Sequence, residues 1–124
     1  MTTTDLTHDT FKSTIVNNPL VLVAFWAAYC RPCQAFAPIY DRSAQSHPEV
    51  VHAKVDTQAE LELAPTLGIR SVPTIMAFRD GVLVYGQAGV MPPAVLENLI
   101  TQVKSLDMNA VRAKIAARKA SAAR

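Results

Sequence analysis

Leu20-Val21-Leu22-Val23-Ala24-Phe25-Trp26 runs through Ala27-Ala28-Tyr29 into Cys30-Arg31-Pro32-Cys33, and this stretch decides how the chain is read. Residues 20 to 26 are apolar with no polar face, as expected of a central strand covered on both sides. The two cysteines, the only ones in the chain, are followed by Gln34 to Ser46, where Ala35, Phe36, Ile39 and Tyr40 fall at helical spacing. Pro32 suits a first helical turn, where its missing N–H costs nothing, and Pro38 predicts a kink rather than a stop.

Two thiols at this spacing can close a disulfide without rearranging the backbone. At the start of a helix both lie where unpaired N–H groups favour a thiolate. The chemistry indicated is reversible thiol–disulfide exchange. The competing reading is one half of a zinc site, but four ligands are normally needed and His8, His47 and His52 form no paired motif. A metal centre is therefore not expected.

The chain has 124 residues, 50% of them apolar, which is enough for one domain with a real core. Met1 to Thr10 is polar and lacks the basic-then-apolar order of a secretory signal. The longest apolar stretch, Leu20 to Cys30, is too short to cross a bilayer as a helix. A soluble, cytoplasmic protein without a membrane partner is expected, and in a reducing compartment a cysteine pair works as a catalyst or metal ligand rather than as a permanent bridge.

Outward from the motif, Asp9 to Val16 predicts a short helix through Phe11, Ile15 and Val16, with Asp5, Thr7 or Asp9 as cap. Val50 to Asp56 is strand-like, and Glu60 to Leu67 reads as a short helix ended by Gly68. Thr74 to Arg79 and Val82 to Gln87 flank Asp80-Gly81, a two-residue hairpin signal. Pro92 and Pro93 open a last helix whose apolar stripe is Val95, Leu96, Leu99, Ile100 and Val103. This order predicts an α/β fold, a central mixed β-sheet sandwiched between helices.

With these motifs in place the chain resembles the thioredoxin family from about Leu6 to Leu106. Val23 to Cys33 matches the family's strand and active-site motif, and Gly68-Ile69-Arg70-Ser71-Val72-Pro73-Thr74 matches the segment that precedes its cis-proline. The resemblance implies a thioredoxin-like fold and a protein disulfide reductase with no bound cofactor. It casts Cys30 as the exposed nucleophile and Cys33 as the more buried resolving thiol, with protein disulfides as substrates and a thioredoxin reductase as electron donor. It also implies a cis Pro73, with Trp26, Tyr29, Val72, Pro73 and Gly89 facing substrate. A monomer is expected.

Three residues depart from the family pattern. Arg31 stands where glycine is usual, and together with Pro32 it modulates the couple: a cation beside Cys30 favours the thiolate and makes the couple more oxidising. Ala24 stands where the family has a buried aspartate, and His52 where it commonly has a lysine. Charge and counter-charge are then both missing, and resolution by Cys33 would rely on water or on the leaving thiolate. Two alternatives follow, a more oxidising oxidant or isomerase, and a partner-binding module whose dithiol turns over poorly.

Net charge is +2, but residues 1–106 carry seven Lys or Arg against nine Asp or Glu, while 107–124 carry five against one. The expected division is a thioredoxin-like domain over 1–106 and a basic C-terminal helical extension over 107–124. Met108, Val111 and Ile115 at helical spacing predict that Ser105 to Arg124 continues the last helix before fraying. No aromatic side chain there can stack on bases, so nucleic acid is not an expected partner.

Overall fold

The computed structural model describes residues 3–122. β1 (Thr3–Asp5), α1 (His8–Asn17), β2 (Leu20–Trp26), α2 (Arg31–Ser46) and β3 (Val51–Asp56) form the first half. α3 (Leu63–Thr66), β4 (Thr74–Arg79), β5 (Val82–Ala88), α4 (Pro93–Lys104) and α5 (Met108–Ala122) complete the chain. The five strands form one mixed sheet in the order β1-β3-β2-β4-β5, with β1, β3 and β2 parallel and β4 and β5 antiparallel to their neighbours.

β2 is central because its alternating side chains are apolar on both faces. Leu20, Leu22 and Ala24 join one core with Phe36 and Tyr40 of α2 and Leu96 and Ile100 of α4. Val21, Val23 and Phe25 join another with Phe11 and Ile15 of α1 and Met76 and Phe78 of β4. Helices therefore cover both faces of the sheet, and the C-terminal end of β2 delivers Cys30 to the start of α2.

Local signals are met where the backbone requires them. Asp80 and Gly81 both have positive φ, 51° and 80°, as a two-residue turn matched to strand twist demands. Thr7 caps α1 in a reciprocal box with Thr10. α2 runs through Pro38 without stopping. Arg79 of β4 donates to the carbonyls of Val103 and Lys104 at 2.6 and 3.0 Å, satisfying the last turn of α4.

One strand is added and three expectations are corrected. β1 has no counterpart in the sequence reading; it is a polar edge strand held by pairing with β3. α3 is shorter than expected, because turns at Asp56 take up Ala59 and Glu60. Val95 is 49% exposed, lying off the buried face that Leu96, Leu99, Ile100 and Val103 present. The tail does not extend α4: α4 ends at Lys104, and Asp107 opens a new helix by accepting from the N–H groups of Asn109 and Ala110 at 3.0 and 3.3 Å. Arg124 lies outside the described residues.

Candidate active site

Cys30 is the N-cap of α2, and its Sγ accepts the backbone N–H of Cys33 at 3.1 Å. That N–H is one of the donors a helix start leaves unpaired, so the same contact would stabilise a Cys30 thiolate. The two cysteines are joined as a disulfide, with 5.2 Å between their Cα atoms. The loop before them is fixed from below. Cys30 N–H donates to Ala27 O at 3.1 Å, and the Gln34 side-chain amide donates to Ala28 O at 2.9 Å.

From the opposite side, the segment entering β4 brings Val72 and Pro73 against the sulfurs. Cys30 Sγ lies 3.6 Å from the Val72 carbonyl oxygen. The Val72–Pro73 peptide is cis, as the family resemblance implies, and Pro73 is buried. Gly89, with φ of 109°, donates its N–H to Pro73 O at 2.9 Å and closes this corner. Tyr29 is 70% exposed beside the disulfide, and Arg31 and Pro32 are exposed on the first turn of α2.

The expected difference in exposure between the two cysteines is not seen. Each is 6% exposed, because Trp26 and Val72 pack over the pair with Ala27. What separates them is their surroundings. Cys30 meets the Val72 carbonyl, whereas Cys33 lines a cavity of about 300 Å³ that reaches down α2 to Ala37, Tyr40 and Asp41 and across to Ala24 and Lys54.

Ala24 forms part of the wall of this cavity. His52, where the family's lysine was expected, is no cation site. It is 1% exposed against Tyr40, its Nδ1–H donates to Val50 O at 3.0 Å, and its Nε2 accepts from the Ser43 hydroxyl at 2.9 Å. Burial, the largest effect, pushes its pKa below the usual histidine value. Tyr40 is likewise committed, with its hydroxyl 2.7 Å from Ala53 O and 3.0 Å from Leu22 O, and burial raises its pKa well above the ordinary tyrosine value.

A cation does face the cavity, at position 54. Lys54 is in register with Ala24 across the β2–β3 ladder, so both side chains lie on the α2 face, and its Nζ stands 5.3 Å from the centroid of the Trp26 ring. The Trp26 indole Nε1 is buried and has no acceptor among the described residues. Sequence reasoning missed Lys54 and Asp41. The i, i+4, i+8 spacing of Cys33, Ala37 and Asp41 was the available signal for the second.

A dithiol held at a helix start against a cis-proline, on a mixed sheet covered by helices, defines a thiol–disulfide oxidoreductase. Comparison with known proteins agrees. The thioredoxin family model matches residues 2–102. "Putative thioredoxin 2" of Streptomyces coelicolor is 43% identical over 120 residues, covering 97% of this chain and 90% of that protein. "Thioredoxin 1" of Synechococcus elongatus is 39% identical over 97 residues, covering 77% and 91%. Among solved structures, a mutant thioredoxin from Halobacterium salinarum superposes with a TM-score of 0.77 at 29% identity, covering 83% of this chain and 91% of that one. Plasmodium falciparum thioredoxin gives 0.74 at 31%, covering 80% and 97%. The chain belongs to the thioredoxin family and is a thioredoxin-type dithiol oxidoreductase that reduces protein disulfides.

Proposed function

We propose that Cys30 is the attacking thiol and Cys33 the resolving one. The observation that carries this assignment is the Cys33 N–H directed at the Cys30 sulfur, which favours the thiolate at position 30 alone. The Cys30 thiolate attacks one sulfur of a substrate disulfide, forming a mixed disulfide and expelling the first substrate thiolate. Cys33 then loses its proton and attacks Cys30 Sγ. The Cys30–substrate bond breaks, the second substrate thiolate leaves with the electron pair, and the protein is left as the Cys30–Cys33 disulfide.

In this reading the substrate lies extended along Val72, Pro73 and Gly89, with Trp26 and Tyr29 supplying the apolar contact. Arg31 and Pro32 tune the couple without touching the reacting bond. A reductase returns two electrons after each turnover. The protein acts as a monomer in the cytoplasm, as one carrier in an electron-transfer chain. Residues 1–106 form the working unit, since the family model ends at residue 102 and α5 begins at Met108.

The two cysteines make different predictions. Cys33→Ser should accumulate a covalent adduct with insulin through Cys30, and Cys30→Ser should accumulate none. Adduct formation through Cys33, read by mass spectrometry, would reverse the assignment.

A further inference from the structure

The opening over the dithiol is narrow. Each cysteine is 6% exposed, so a substrate disulfide reaches Cys30 only past the side chains that surround that opening. On the α2 side these are Tyr29, Arg31 and Pro32, all exposed. On the other side Arg70 and Ser71, also exposed, lead into Val72, whose carbonyl oxygen lies 3.6 Å from Cys30 Sγ.

Neither arginine has an ion-pair partner among the described residues. The carboxylates on the loop after β3 are engaged elsewhere. Asp56 accepts from the Gln58 N–H at 2.9 Å, and Glu60 accepts from the His8 N–H at 2.8 Å. The approach to Cys30 therefore carries positive charge that the fold does not neutralise, and Arg31, the residue next to the N-cap sulfur, stands nearest to the reacting bond in the chain.

We propose that Arg31 is a specificity-determining residue that directs Cys30 to disulfides flanked by carboxylates, so that acidic segments of protein substrates are reduced in preference to basic ones. The inference rests on Cys30 being the attacking thiol.

A guanidinium binds a carboxylate both by charge and by paired N–H donors. An acidic residue beside the attacked cysteine of a substrate completes the pair that Arg31 leaves open, whereas a lysine there is repelled. Arg31 also favours the Cys30 thiolate, but that effect is common to all substrates and cancels when two are compared. Tyr29 offers apolar contact to either kind of segment. Because Arg31 is exposed, the selection is graded and weakens with salt.

The step conserves atoms and electrons. The Cys30 thiolate forms a bond to one substrate sulfur, the substrate S–S bond breaks, and the leaving thiolate takes its electron pair. Arg31 keeps its proton and forms no bond to sulfur.

The test mixes reduced full-length protein with dithiodipropionate, hydroxyethyl disulfide or cystamine, which are anionic, neutral and cationic. Concentrations are kept where the rate is first order in disulfide, so that attack by Cys30 is read. Oxidation is followed by the fluorescence of Trp26, the only tryptophan, which packs against the cysteines. Each rate is divided by that of β-mercaptoethanol with the same disulfide, which removes differences in intrinsic reactivity.

The anionic disulfide is expected to react about five- to tenfold faster than the cationic one at low salt, a preference that falls to about twofold at high salt. Arg31→Gly is expected to reduce the low-salt preference to about twofold or less, Arg31→Glu to invert it and Arg31→Lys to retain it. A wild-type ratio near one would overturn the proposal. So would an Arg31→Gly variant that slows all three disulfides equally, which marks tuning of the thiolate alone. A preference that survives Arg31→Gly and disappears in Arg70→Gln would move the role to Arg70 and also overturn it. If Cys30→Ser reacts at the wild-type rate while Cys33→Ser does not, the assignment of Cys30 as attacking thiol falls instead.

Discussion

Arg31 occupies the first turn of α2, next to the N-cap sulfur and at the positive end of the helix dipole. Its charge adds to the dipole rather than offsetting it, a local cost of about 0.3–1 kcal/mol to the helix that is repaid only in the thiolate state. Arg31→Gly is therefore expected to make the Cys30/Cys33 couple more reducing by roughly 10–30 mV, because about 30 mV in a two-electron couple corresponds to ~1.4 kcal/mol and an exposed cation supplies less than that. Equilibration against glutathione buffers reads the potential, and a shift in the oxidising direction would contradict the effect. His52 makes a different kind of prediction. Burial holds it neutral in the fold, while an unfolded chain takes up the proton near pH ~6.5, so the unfolded state binds more protons just below that pH. The contribution of His52 to stability is thus present above about pH 6.5 and declines as pH falls, by up to ~1.4 kcal/mol per unit. Urea unfolding at pH 7.5 and 5.5 should show a larger loss for the wild type than for His52→Gln; equal losses would remove His52 as the cause.

At the level of elements, legibility followed how much of each signal is local. β2, α2 and the β4–β5 hairpin were readable because their determinants sit in consecutive residues: an unbroken apolar run, an N-terminal proline with helical spacing, and Asp80-Gly81 at positive φ. The Cys30–Cys33 pair was readable for the same reason. β1 was not, since Thr3-Thr4-Asp5 carries no apolar alternation and becomes a strand only through pairing with His52, Ala53 and Lys54. The break between α4 and α5 was hidden because Val103, Leu106, Met108 and Val111 keep an apolar rhythm across it. The signal against continuity was Asp107, a side-chain cap that outweighs a weak stripe of which only Met108 is buried. Lys54 fell in between. Its place in a strand was legible, but whether it faced α2 or solvent depended on the register of β3 against β2, which no local pattern encodes. Spacing alone likewise placed Val95 and Leu96 in one stripe, and only docking of α4 against the sheet separated the exposed residue from the buried one.

Over the whole molecule, the distribution of charge and of packing divides the chain at the same point. α4 completes its own C-terminus with Arg79, so its last turn does not depend on α5. Beyond it, Leu106 packs against the core edge and Met108 is buried, whereas α5 past Met108 is otherwise exposed or half-exposed and carries the basic excess. A chain ending at Leu106 would drop from a net charge of +2 to −2, since residues 107–124 hold five cations and one anion. It is expected to fold, to reduce insulin disulfides at the full-length rate, and to lose about 1–2 kcal/mol from the Met108 contact, a fall of roughly 5–10 °C in Tm. Thermal unfolding and turnover measured on the same preparation separate the two contributions. A truncated protein that keeps its Tm within that range yet loses turnover would make α5 part of the reducing machinery. One that unfolds outright would place the domain boundary beyond Leu106, because stability would then depend on α5 residues past the single buried anchor.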